Sequence, residues 1–209
     1  MAIVYAAQLR PSKMELLAVW LPQQPWFVTS EEELVRLGSF RFDDPAGEVG
    51  IETQLVGAGR NVFHVPLTYR GAPLEGAEAF LIGTMEHSVL GDRWVYDATG
   101  DPVYVAALAD AVLAGAPQAV QIQESDGETT VLPETATIAA TGVPLETVPA
   151  FSAIETVTVA GVSTISAGNL ELRVLRELDL AGVPTAGYGL TAVWDGQASP
   201  VLIASAAIS

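Results

Sequence analysis

Glu86-His87, followed by Asp92, Asp97 and Asp101, is the densest run of groups able to hold a cation or move a proton. Carboxylate oxygens and an imidazole nitrogen are ligands that divalent ions accept. The same residues also read as solvated loop acids plus a helix cap at Asp101. That second reading is preferred, since a metal centre needs a converging outer shell that a run of acids does not supply. A second set is aromatic. Trp20, Trp26, Phe27, Trp94 and Tyr96, with Arg93 and Asp97 beside them, present ring faces flanked by charge, a surface on which a sugar or another flat ligand stacks. Trp26, Arg93, Trp94, Tyr96 and Asp97 are thus the candidate ligand-binding residues, set against the more ordinary account of core packing. A third feature is His64, on the polar face of its strand with Thr68 and Arg70. It reads as a surface histidine near Glu52 rather than as a base.

Other chemistry is excluded by what the chain lacks. It has no cysteine, two histidines and one lysine, Lys13. No thiol nucleophile, iron–sulfur cluster or thiolate zinc site can form. Gly-x-Ser-x-Gly, the Walker lysine motif, His-Arg-Asp and Asp-Phe-Gly are all missing. Gly187-Tyr188-Gly189-Leu190-Thr191-Ala192 fits the loose dinucleotide pattern, but it precedes a strand-like run instead of a helix. With 25 acids, some carboxylate pair always exists, so a glycosidase pair carries no signal. No catalytic residue, metal or cofactor is assigned.

The elements that must position these residues are legible in pattern. Ala2 to Leu9 alternates as a strand, and Pro11 stops it. Ser12-Lys13-Met14-Glu15 is a capping box, predicting a helix from Lys13 to Leu21 with Leu16, Leu17 and Trp20 inward. A second box, Ser30-Glu31-Glu32-Glu33, predicts a short helix ended by Gly38 as a C′ glycine. Glu48 to Val56 and Asn61 to Arg70 alternate around Gly57-Ala58-Gly59 and form a hairpin. Matching the apolar faces pairs 55 with 63 and 49 with 69, and sets Glu48 opposite Arg70. Pro66 belongs at an edge or bulge. Two short strands follow, Phe80 to Met85 and Arg93 to Tyr96. Asp101-Pro102 then opens a helix through Tyr104, Leu108 and Val112, closed by Gly115 and Pro117.

Beyond Gln118 the texture changes to Val, Thr, Ile and Ala, with turn signals at Asp126-Gly127, Gly142, Gly161 and Asp195-Gly196. Strands are predicted near 118–123, 128–132, 135–140, 155–160, 170–178, 189–194 and 200–206. In 169–180 strand and helix patterns compete, and the strand is preferred. The fold class is therefore α+β, mostly antiparallel sheets with a few short helices. Two separately packed parts are expected, 1–116 and 117–209.

The whole composition narrows the partners. The chain has 209 residues, 9 basic and 25 acidic, for a net charge of −16, and is 50% hydrophobic. No basic stripe can neutralise phosphates, so neither nucleic acid nor an anionic membrane is expected as a partner. The apolar content supports a buried core. Met1 to Leu9 lacks the basic start of a signal peptide, and no apolar run reaches the ~18 residues of a membrane helix, so a cytoplasmic location is expected.

Two stretches resemble a known family. Trp20-Leu21-Pro22-Gln23-Gln24-Pro25-Trp26-Phe27 resembles the W-L-P-x-Q-R-W-[FY] opening of the maltokinase N-terminal cap domain. Val95-Tyr96-Asp97-Ala98-Thr99-Gly100-Asp101-Pro102 resembles the Y-D-A-x-x-D-P element that closes it. The resemblance covers about the first 115 residues. It implies a curved antiparallel sheet with a packed helix, which in the family is joined to a kinase-like body that phosphorylates maltose with ATP. The cap is not the catalytic part. Here Pro25 replaces the family's arginine, and no large helical lobe follows. Gly168-Asn169-Leu170-Glu171 to Ala204 is weakly similar to the later part of a kinase N-lobe, where Glu171 would match the helix glutamate, but its lysine partner has no counterpart. The resemblance implies a free-standing cap-like protein, a type found among actinobacterial relatives of maltokinase. It would be a non-catalytic binding or assembly module associated with trehalose, maltose or α-glucan metabolism. A protein partner or a second copy is expected, with a carbohydrate as candidate ligand. The alternative is a small ATP- or metal-dependent sugar-acting enzyme, a kinase-like phosphotransferase.

Overall fold

The computed structural model describes residues 2–28, 32–125, 128–182 and 187–209. The chain runs β1 (Ala2–Ile3), β2 (Leu9–Arg10), α1 (Lys13–Trp20), β3 (Val35–Phe42), β4 (Gly50–Ala58), β5 (Asn61–Arg70), β6 (Leu81–His87), β7 (Gly91–Asp97) and α2 (Pro102–Ala109). It continues with β8 (Gln121–Ser125), β9 (Glu128–Val131), β10 (Ala136–Thr141), β11 (Glu155–Val159), β12 (Val162–Ala167), β13 (Leu170–Leu175), β14 (Tyr188–Trp194) and β15 (Gln197–Ile208). One six-stranded sheet has the order β2-β6-β7-β5-β4-β3 and a second the order β10-β14-β15-β13-β12-β11. A small third sheet joins the start of the chain to its second half: β1 lies parallel to β8, and β8 antiparallel to β9. The fold is α+β and mostly antiparallel.

Both helices begin as the sequence directs. Ser12 Oγ accepts from the Glu15 N–H at 3.3 Å, while the Glu15 carboxylate accepts from the Ser12 N–H at 2.7 Å. Pro102 occupies the first position of α2, and Asp101 accepts from the Val103 N–H at 3.0 Å. One π turn, Asp110–Ala114, extends α2 until Gly115 ends it at φ +70°.

These helices sit on opposite faces of the first sheet. α1 buries Leu17 against Phe63, Val65, Leu67, Met85 and Val95. On the other face, α2 is buried on most sides: Tyr104, Val105, Leu108, Ala109, Ala111, Val112 and Leu113 all lie inside. A helix apolar nearly all round must be covered nearly all round. α2 meets Phe40, Phe42, Ile51 and Leu55 of the first sheet, and the same core takes in Ile165, Leu172, Val174, Leu190 and Ile203 of the second. The layers are α1, first sheet, α2, second sheet. The two six-stranded sheets follow the division of the chain near residue 116, while the apolar core is continuous across it.

That covering shifts the hairpin register. β4 and β5 join through a two-residue turn, Gly59-Arg60, with Gly59 at φ +61°, so Ala58 faces Asn61 and Leu55 faces His64 rather than residue 63. Matching apolar faces assumes one wet face, and this hairpin has none. Each face mixes apolar with polar: Ile51 and Leu55 lie opposite Thr68 and His64, Val65 and Leu67 opposite Gln54 and Glu52. Glu48 consequently does not oppose Arg70. Pro66 lies in an interior strand, between His64, whose N–H donates to Arg176, and Leu67, where pairing with β7 begins. The missing N–H falls where β5 changes partners.

Three further expectations are corrected. Residues 35–42 form β3, where a helix ending at Gly38 was expected. Gly38 is needed for close approach: a Cβ there would stand 2.6 Å from the Thr135 carbonyl oxygen. Of Ala2 to Leu9, only the ends are paired as strands. β12 was not foreseen, because its inward residues Ser163, Ile165 and Ala167 include two small ones that give no apolar alternation. Residues 170–175 are strand, as preferred. Ser30 and Glu31 of the second capping box and the Asp126-Gly127 turn lie outside the described residues.

Candidate functional site

The end of β7 carries the acids that the sequence singled out. Asp97 accepts from the Thr99 N–H at 3.2 Å and the Thr99 hydroxyl at 2.9 Å, starting a 3₁₀ turn at Ala98–Gly100. Gly100 leaves room for Phe80, whose ring a Cβ would meet at 2.2 Å. Asp101 then opens α2. Each acid is held by an arginine from elsewhere in the fold. Arg70 Nε and Nη2 donate to the two oxygens of Asp101 at 2.7 and 2.6 Å, the fork geometry of a strong charge-assisted pair. Arg176 Nη2 donates to both oxygens of Asp97 at 2.8 and 2.6 Å and to Thr99 Oγ1 at 2.9 Å, while its Nε donates to Ser163 Oγ at 2.7 Å. Asp101 and Arg176 are both fully buried. Arg176 sits on the second sheet's side of the chain and Asp97 on the first's, so this pair clasps the two.

His64 lies beside that clasp. It is buried, not on the surface, and its Nδ1 is 3.1 Å from the Leu175 carbonyl. Burial, then the charge of Arg176, pushes its pKa down to about 3. The ring is neutral at ordinary pH and packs as a polar core residue.

Of the five candidate ligand residues, Trp26 and Asp97 meet at Arg176, while the other three have other neighbours. Trp26 is buried under α1 beside Phe63, with the Arg176 guanidinium 5.4 Å from its ring centre. Tyr96 is buried, and its hydroxyl accepts from the Leu74 N–H at 2.8 Å. Asp97 is held by Arg176. Trp94 is half-buried on β7, opposite Arg70 and Thr84. Arg93 is half-buried, donates to the Leu90 carbonyl at 2.6 Å, and lines a cavity that none of the other four reaches.

That cavity, about 420 Å³, lies between the N-terminal segment, the β3–β4 connection and the surface around Tyr69. Lys13, Arg41, Arg93, His87, Tyr5 and Tyr69 are among its walls. At its base Glu52 is buried and accepts from both Lys13 and Arg41, the latter at 3.3 Å. Burial raises the Glu52 carboxyl, but the charges of Lys13 and Arg41 outweigh it and hold it below its ordinary range. Burial lowers the Lys13 ammonium, opposed by Glu52. Burial, then the Glu52 charge, drives the Tyr69 hydroxyl well up, and the Lys13 ammonium stands 5.3 Å from the Tyr69 ring centre. Sequence reasoning missed this group. Lys13, Arg41, Tyr69 and Arg93 are distant in the chain, and no spacing rule links them. Three of the nine basic residues converging on one cavity is visible only in the fold.

Among the described residues, no three His, Asp or Glu side chains are grouped as a metal ion would need. His87 Nδ1 accepts from the Val89 and Leu90 N–H groups at 3.2 and 3.1 Å, closing its own turn. Gly187-Tyr188-Gly189 leads into β14, a strand, so the dinucleotide pattern has no helix on which to seat a phosphate. No helix among the described residues is long and apolar enough to cross a membrane.

The closing element of β7, the 3₁₀ turn and the α2 cap is thus a compact structural joint. Residues 20–101 match the family model of the maltokinase N-terminal cap domain. The match runs from the last residue of α1 to the cap of α2, about two fifths of the chain. It takes in the first sheet from β3 to β7 and both resembling stretches except Pro102, so this part of the protein resembles a maltokinase cap module. No curated protein matches the chain.

Proposed function

We propose that the protein is a non-catalytic binding or assembly module of the maltokinase-cap type. It acts in the cytoplasm with a protein partner or a second copy of itself, in the metabolism of trehalose, maltose or α-glucan. The observation that carries this reading is the use made of the acids in the cap-like part. Asp97, Asp101 and Glu52 are each engaged inside the fold by an arginine or a lysine. Side chains committed to buried ion pairs hold elements together and are not poised for proton or phosphoryl transfer. Phosphoryl transfer also calls for a phosphate loop and a lysine on its strand, which the sequence does not supply. A carbohydrate is the candidate ligand of such a module, with half-buried Trp94 among its accessible rings.

The test takes the purified chain with magnesium, ATP and maltose, and in parallel with the catalytic body of a maltokinase stripped of its own cap. Expected are no sugar phosphate, no ATP binding tighter than about 100 μM by calorimetry, and a defined complex with the kinase body by light scattering. Maltose phosphate made by the chain alone overturns the non-catalytic reading. A strictly monomeric chain that ignores the kinase body overturns the assembly reading.

A further inference from the structure

The cavity over Tyr69 has a charge pattern that the cap reading does not use. At its base, Lys13 and Arg41 share the single carboxylate of Glu52, so two cations meet one anion in a floor where Lys13 is 24% exposed, Arg41 15% and Glu52 3%. Such a floor retains a positive charge, and a sequestered charge without a counterion is unfavourable. Arg93 adds a third cation on the wall. The buried Nε of Arg41 has no hydrogen-bond partner, a donor in want of an acceptor. Asp43, Asp44 and Glu48 also line the cavity. Asp44 is turned onto its own loop, accepting from the N–H groups of Ala46, Glu48 and Val49. Asp43 and Glu48 are exposed. Tyr5, Leu9, Met85 and Leu90 supply apolar wall. The volume lies in the range of small-molecule sites, roughly 300–1,000 Å³.

We infer that this cavity binds a small organic anion, its carboxylate or phosphate against Lys13, Arg41 and Arg93 and its apolar body against Tyr5, Leu9 and Leu90. The site stands apart from the Asp97–Arg176 joint, and the inference is independent of the partner proposed above.

The full chain is titrated by calorimetry, with ligand-observed NMR for weak binding, against benzoate, phenyl phosphate, inorganic phosphate and benzyl alcohol. The expected result is binding of benzoate or phenyl phosphate with Kd below about 1 mM, weakening with salt, and at least about tenfold weaker binding of benzyl alcohol. The preferred anion tells a carboxylate source from a phosphate one, and inorganic phosphate shows what the apolar body adds. Arg93→Gln removes a half-buried side chain outside the Glu52 pairs, so the fold is retained, and anion binding is expected to weaken about tenfold. Arg41→Lys keeps the charge but removes Nε and is expected to weaken binding as well. Arg60→Gln, on the exposed hairpin turn, is expected to change nothing. No binding of any anion at about 10 mM, equal binding of benzyl alcohol, or full affinity in both Arg93→Gln and Arg41→Lys overturns the proposal.

Discussion

Asp101 shows how far a single residue can be read from its neighbours. Followed by proline, it announces a helix cap, and the cap is there. Its second role depends on Arg70, 31 positions away, which the register of a hairpin delivers, and no local pattern encodes that contact. The cap alone would make Asp101→Asn nearly harmless, since asparagine also caps. The arginine fork changes the expectation. Asp101→Asn keeps an acceptor for the Val103 N–H but leaves the Arg70 guanidinium without its counterion, and is expected to cost about 2 kcal/mol; Asp101→Ala loses both functions and is expected to cost about 3–4 kcal/mol. Urea unfolding of the two variants checks this, and an asparagine variant as stable as the parent would mean that the fork contributes nothing. His64 makes a similar case with pH. Its alternating strand suggested a wet face, and the second layer over the sheet made it dry. With a folded pKa of about 3 against an ordinary 6.5, the ring takes up a proton far more readily unfolded than folded. Its contribution is therefore complete above about pH 6.5 and is lost as pH falls from there towards 3, at about 1.4 kcal/mol per pH unit. His64→Gln is expected to flatten the fall in urea midpoint between pH 7 and 5, and parallel curves for the parent and the variant would contradict the assignment.

At the scale of elements, strands and helix starts were legible wherever the signal is local. The Ser12 capping box, the Asp101-Pro102 start, the Gly115 stop and the hairpin all follow from spacing, because caps and turns are satisfied by residues within one turn of the chain. The errors came where another layer intervened. The hairpin register was misread because apolar alternation marks a face only when the other face meets water. Gly38 was read as a helix stop, although the close approach of Thr135 requires it in β3. Gly100 has a comparable role in the joint after β7, since the Phe80 ring occupies the space that a side chain would need. Gly100→Ala is therefore expected to cost about 1–3 kcal/mol through overpacking, and Phe80→Leu in the same chain to recover part of that loss. Thermal melts of the single and double variants measure the coupling, and strictly additive effects would show that the contact is relieved elsewhere.

The whole molecule joins two sheets whose composition differs sharply. The second part, from Gln118, carries two basic residues against ten acids, and one of the two, Arg176, is spent on Asp97 of the first part. The texture change near residue 116 was legible and suggested separate packing. What composition could not show is that α2 is apolar on the side facing the second sheet as well as on the side facing the first. The core around α2, the Arg176–Asp97 pair, the β1–β8 pairing and the His64–Arg176 backbone bond all cross that point. Elements that share a core lose it together, so the two parts are expected to unfold in one cooperative step, with calorimetric and van't Hoff enthalpies in agreement. A fragment ending at residue 116 would leave in water the apolar side of α2 and the Asp110–Ala114 turn that meets the second sheet, and is expected to show no cooperative melt, whereas the full chain does. Arg176→Met separates the clasp from the core: removing one partner of a buried pair strands Asp97, so the melting temperature falls but the transition stays single if the shared core sets cooperativity. Two resolved transitions in the parent, or an independently folding fragment, would instead place the boundary of stability at residue 116.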